Sequence, residues 1–169
     1  MIGVNVNHRR TTRSLCAQLG VALAAFVAMI PAGATTALLC VQVERNGLAW
    51  RIIPGRLGDE ARLSFQHSIY GSRVEEVFHL GPDAFHLTAL RYSEPRLVEF
   101  YGYDSANYEN GAWVVRPRSS AISSLNLRTT SAAPMSLVLE QEQRSIHIAM
   151  PVDTVLRLTI ASCKDAQNG

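Results

Sequence analysis

Leu63-Ser-Phe-Gln-His67-Ser68-Ile-Tyr-Gly71-Ser72-Arg-Val-Glu75-Glu76-Val-Phe78 is the stretch that decides the fold. Alternating runs flank Gly71-Ser72, and Gly at the first central position of a two-residue loop predicts a type II′ hairpin turn. A turn centred there sets Leu63 against Leu80, Phe65 against Phe78, His67 against Glu76 and Ile69 against Val74 on one apolar face. Ser68 and Glu75 then pair on the other face. A slip of one residue would reverse every face, so these matched partners specify a register.

Working outward, Leu39, Val41 and Val43 alternate with smaller or polar residues up to Arg45-Asn46-Gly47. Asn-Gly predicts a second hairpin, with Val43 opposite Trp50 and Val41 opposite Ile52. Gly55 and Gly58 break the chain before the His67 hairpin, and Gly81-Pro82-Asp83 turns it into a strand over 85–92. Further strands are expected at 113–116, 122–127, 135–139, 146–149 and 155–161. No helical period persists over a window of about eleven residues. About ten short strands with Pro117, Pro134 and Pro151 between them imply a single all-β domain. Its expected form is an antiparallel β-sandwich or a partly closed β-barrel. Residues 94–110 stand apart, an irregular connection holding Phe100, Tyr101, Tyr103 and Tyr108 just after Tyr92. Long irregular connections in small domains are functional or mobile.

The N-terminus reads differently. Residues 1–34 carry Arg9, Arg10 and Arg13 and no acidic group, residues 15–30 are uncharged and mostly apolar, and Ala32-Gly33-Ala34 supplies an Ala-x-Ala pattern. This is the layout of a secretory signal peptide. The alternative is an uncleaved inner-membrane anchor, since residues 15–43 carry no charge. The expected organisation is therefore a leader or anchor helix over 1–34 and one β-domain over 35–169. Three of the 16 Lys and Arg residues fall in 1–34, leaving 13 against 14 Asp and Glu. The remainder has no basic run, which argues against nucleic acid as a partner.

An oxidising compartment gives the cysteines meaning. Cys16 lies in the leader, and Cys40 and Cys163 lie in the first strand and at the end of the last, each on the less apolar face. If those strands are neighbours, the two can form one disulfide spanning nearly the whole domain. Otherwise they are free thiols.

Among candidate chemistries, His67 opposite Glu76 is the constellation with a mechanism: a carboxylate orients an imidazole and stabilises its charged form. The pair serves either a binding contact or the hairpin itself. Ser68 is no nucleophile for His67, because adjacent strand residues point to opposite faces. His67, His79, His86 and His147 lack the spacing of a zinc motif, and no phosphate-cradling glycine motif occurs, so neither metal nor cofactor is expected. An enzyme is therefore less well supported than a binding domain. Tyrosines suit a surface that meets a ligand or partner. The candidate binding residues are His67, Ser68, Glu75, Glu76, Tyr92, Tyr101 and Tyr103.

His67-Ser68, a short turn and Val74-Glu75-Glu76-Val-Phe resemble the bacterial family known as domain of unknown function 1850. Gly111-Ala-Trp113-Val-Val and the closing Val155-Leu-Arg-Leu-Thr-Ile strand extend the resemblance over roughly residues 38–162. Where members carry a Gly-rich segment, this chain has Glu94-Pro95-Arg96-Leu97. The resemblance implies an exported, periplasmic, non-enzymatic accessory to a tripartite, binding-protein-dependent solute-uptake system of the immunogenic-protein-like class. The transporter or its binding protein would then be the partner. The alternative is a β-barrel carrier that binds a small ligand with the His67/Glu76 face and the Tyr-rich loop.

Overall fold

The alternation along the chain becomes twelve strands and two short helices in the computed structural model, which describes residues 38–118 and 120–166. A four-stranded sheet holds β1 (Leu38–Arg45), β2 (Leu48–Arg56), β9 (Ser124–Thr129) and β12 (Thr154–Ser162), in the order β2-β1-β12-β9. The larger sheet holds β3 (Glu60–Gln66), β4 (Arg73–Leu80), β5 (Phe85–Tyr92), β6 (Asn107–Glu109), β7 (Ala112–Val115), β10 (Met135–Gln141) and β11 (Arg144–Ala149). Its order is β11-β10-β3-β4-β5-β7-β6, and β8 (Ala121–Ile122) also pairs with β5. Every pairing is antiparallel, and the sheets do not close into a barrel.

One apolar core joins the two sheets. Val41, Val43 and Leu158 from the smaller sheet and Leu63, Phe78 and Leu139 from the larger are almost wholly buried together. Alternation accounts for this, because each strand presents every second side chain inward.

Two expected registers change locally. The Asn46-Gly47 turn forms, but a β-bulge between Val43 and Glu44 makes Trp50 the extra residue, so Val43 faces Arg51 and Val41 faces Ile53. Ile53 is therefore buried and Ile52 is 42 % exposed, the reverse of the simple alternation. The run expected as one strand over 122–127 bends at Ser123. Ile122 pairs with Phe85 in the larger sheet, while Leu125 faces Leu158 in the smaller.

β1 lies beside β12, with Cys40 paired to Ala161. Cys163, the first residue of α2 (Cys163–Ala166), bonds to Cys40 with Sγ–Sγ 2.14 Å and Cα–Cα 4.9 Å. Of the two states open to these cysteines, the structure holds the disulfide. The leader assigned to residues 1–34 lies outside the described residues, and of the uncharged run 15–43 the last six residues belong to β1. No helix among the described residues is long and apolar enough to cross a membrane.

Candidate functional site

The hairpin forms with a wider loop than the glycine predicts. β3 and β4 pair Leu63 with Glu76, Ser64 with Glu75 and Phe65 with Val74. The His67 N–H donates to the Ser72 carbonyl at 2.8 Å, so residues 68–71 make a four-residue loop. His67 therefore does not face Glu76, Ile69 does not face Val74, and Ser68 does not pair with Glu75. The physical reason is His67 itself. Its Nδ1 accepts the N–H groups of Ile69 and Tyr70, each at 3.4 Å, and its ring stacks on Tyr70 at 5.1 Å. Gly71 closes the loop with φ +65°, a conformation other residues resist, and donates to the His67 carbonyl at 2.8 Å. The slide covers an even number of residues, so the faces survive it. His67, Val74 and Glu76 still point inward and Glu75 outward.

Residues 94–110 supply the cover. Pro95, with φ −65°, is preset for a helix start, and α1 (Arg96–Phe100) follows. The helix stops at Gly102: its N–H bonds to the Glu99 carbonyl at 2.9 Å, and the Tyr103 N–H bonds to Val98 at 3.0 Å. This pair of bonds is the Schellman arrangement, which needs the left-handed φ of +77° found at Gly102. Leu97 and Val98 are buried against Val74, Leu90, Tyr92 and Val115 in a second apolar cluster. The connection is thus folded onto the end of the larger sheet. Glu94 accepts from the Ser72 hydroxyl and from Arg96, and these two contacts hold its carboxyl below the usual range. The Arg96 guanidinium lies 4.4 Å over the Tyr70 ring.

This geometry gathers most of the expected residues. The His67 ring contacts Phe100 at 4.7 Å and Tyr101 at 5.8 Å, both edge-on, and Tyr101 stacks on Tyr92 at 5.3 Å. Tyr92 faces Val74, next to Glu76 on the same side of the sheet. Its hydroxyl is buried and has no hydrogen-bond partner among the described residues. Burial raises the Tyr92 pKa strongly, with further contributions from Tyr103, Tyr101 and Glu76. Burial likewise raises the Glu76 carboxyl above its ordinary value, and Glu76 has no hydrogen bond or ion pair among the described residues. Tyr101 is raised by burial and by the nearby Glu76 charge.

Ser68 and Glu75 are not part of this gathering. Ser68 is exposed in the loop. Glu75 lies on the outer face of the sheet between Arg73 at 2.6 Å and Arg91 at 3.2 Å, with the Ser64 hydroxyl at 3.5 Å. A recess of about 580 Å³ opens there, floored by Val77, Ala89 and Val114 and rimmed by Arg62, Arg91 and Arg116. Each of those arginines already has a carboxylate: Glu60 at 2.7 Å, Glu75 at 3.2 Å and Glu109 at 2.6 Å. That face is a neutralised charge ladder.

Sequence reasoning missed Tyr70, Arg96 and Phe100. The signal for α1 was present, since Pro95 and Gly102 bracket Leu97, Val98 and Tyr101 in the manner of a short capped helix. Comparison with known proteins returns no matching family model, no matching curated protein and no matching solved structure.

Proposed function

We propose that this protein is an exported, non-enzymatic binding domain that accompanies a periplasmic solute-uptake system. The observation that carries export is the Cys40–Cys163 bond, which ties the two ends of the described domain across 123 positions of sequence. Such a bond persists in oxidising compartments and is lost in reducing ones. The leader pattern over residues 1–34 supports the same reading, and the link to an uptake system rests on the resemblance carried by His67-Ser68 and Val74-Glu75-Glu76. Binding is favoured over catalysis by what the polar groups do. His67 spends Nδ1 on its own loop, Glu75 is held by two arginines, and Ser68 has no base beside it.

The recognition surface is the end of the larger sheet where Ile69, Phe100 and Tyr101 are exposed together, Ile69 at 70 %. Exposed aromatic and aliphatic side chains concentrated at one end suit a partner contact. The test is copurification of the tagged chain from crosslinked cells. A membrane transporter or its binding protein should be recovered, and Ile69→Asp with Phe100→Asp should abolish that recovery. Recovery of the chain alone after crosslinking would remove the accessory role. A second reading, a small-ligand carrier, is favoured by the unpartnered Glu76 and Tyr92 groups at the same end. A barrel mouth is not its basis, since the sheets do not close.

A further inference from the structure

We propose that Glu76, the Tyr92 hydroxyl and the rings of Tyr101 and Tyr103 form a binding site for a small organic ammonium group. This rests on the reading of the α1 end as a recognition surface and names what that surface takes. Two polar groups on one inward face lack partners among the described residues: the Glu76 carboxyl, in a half-buried residue, and the Tyr92 hydroxyl, in a residue only 1 % exposed. Buried polar groups are normally hydrogen-bonded, so the unmet Tyr92 hydroxyl, on the same sheet face as the Glu76 carboxyl, marks a missing partner. Everything around them favours a cation. A carboxylate accepts only, a phenol oxygen offers lone pairs, and aromatic faces are electron-rich.

The chemistry also selects the kind of cation. One carboxylate and a set of phenols supply too few hard ligands for calcium or magnesium, which take six or more oxygens. Among the described residues no group of three His, Cys, Asp or Glu side chains is placed to hold a metal. An alkylammonium has three compact donors, enough to reach both Glu76 and Tyr92, and an apolar tail that tyrosine rings accept. Tyr101, 40 % exposed, and the half-buried Glu76 lie at the solvent side of this cluster. Arg96, at the start of α1, is already held by Glu94 and stacked on Tyr70, so it does not supply the missing charge.

The test is an NMR titration of the full chain with n-butylammonium chloride, alongside 1-butanol and sodium butyrate in the same buffer. Saturable shifts at Glu76, Tyr92, Tyr101 and Tyr103 are expected with the ammonium and with neither control. Glu76→Gln preserves shape and removes the charge, and it should weaken binding by roughly tenfold or more, as loss of a charged hydrogen bond does. Tyr92→Phe should weaken it roughly threefold to tenfold. If Glu76→Gln fails to fold, Tyr92→Phe carries the same comparison. An equal response to 1-butanol, a non-saturating response to the ammonium, or variants that bind like the parent would overturn the site. Failure here leaves crosslinked recovery of a transporter untouched, and loss of that recovery leaves ammonium binding untouched, so the two readings fall separately.

Discussion

The core between the two sheets and the smaller cluster beneath α1 are both built on the larger sheet, yet they handle polar groups in opposite ways. Between the sheets, buried positions such as Val41, Leu63, Leu139 and Leu158 contain nothing to hydrogen-bond. Beneath α1, the inward face carries the buried Tyr92 hydroxyl and the half-buried Glu76 carboxyl, and the cover is a five-residue helix. A helix that short has no stability of its own and is held by Leu97 and Val98. One region is assembled to be stable, and the other keeps polar demand unmet under a light cover. Ligand-binding regions are drawn from that second kind.

The contrast is most easily broken at the disulfide, which ties β1 to the start of α2 on the face of the smaller sheet away from that core. In the chain-entropy description, closing a loop of this length contributes roughly 4–5 kcal/mol. Reductant, or Cys40→Ser with Cys163→Ser, should lower the melting temperature markedly. An unchanged melt would mean that the smaller sheet does not depend on its staple.

Truncating one leucine in each region sharpens the comparison. Leu158→Ala and Leu97→Ala should both fall within about 2–5 kcal/mol, the span for buried leucines. Leu158 belongs near the upper end, because sheets fixed on both sides cannot collapse into the cavity. Leu97 belongs near the lower end, because α1 can settle. Chemical denaturation of both variants measures this, and equal losses would mean the cover is as rigid as the core.

Adjacent glutamates give a smaller effect with a sharper sign. Glu75→Ala removes the acceptor for Arg73, Arg91 and Ser64, and it should cost about 1.5 kcal/mol, the loss of a charged hydrogen bond partly open to water. Glu76→Gln removes a charge that has no partner and should not destabilise at all at neutral pH. Equal losses from the two variants would place both side chains on the same footing and end the distinction between the faces.

How much of this was legible in the sequence follows from the reach of each signal. Period-two alternation reported strands and faces, and it survived even where pairing moved, because the slide at His67 spans an even number of residues. Turn residues reported that a loop exists near Gly71 but not its width, since that was decided by an imidazole bonding back to Ile69 and Tyr70. The bulge at Val43 and the bend at Ser123 left no mark in hydrophobic pattern. The candidate site was legible as a set of residue types, and the fold brings His67, Glu76, Tyr92, Tyr101 and Tyr103 to one end of the larger sheet. Glu75 and Ser68, drawn in with the His67-Ser68 and Val74-Glu75-Glu76 motif, lie apart on the outer face and in the exposed loop. The role of α1 was hidden because one turn of helix is shorter than any period can show.

The smallest effect concerns the titration of Glu76. Burial holds its folded-state pKa above the ordinary 4.5. A carboxyl raised on folding binds its proton more tightly in the folded state. Its favourable share is therefore complete below the unfolded value and is lost as pH rises through the folded one. Glu94 and Glu109 run the other way, held low by Ser72 and Arg96 and by Arg116, so their share is present above the unfolded value and fades on acidification. Stability of the parent alone mixes these opposite trends. The difference between the parent and Glu76→Gln isolates one group, because the other carboxylates cancel. That difference should move in favour of the glutamine variant as pH rises from about 4.5, reaching about 0.5–1 kcal/mol, the low end of the penalty for burying a polar group without a partner. Urea denaturation at a series of pH values reads it directly. A difference that stays flat would mean that Glu76 is solvated or paired, and the unmet charge that sets the α1 end apart from the core would not exist.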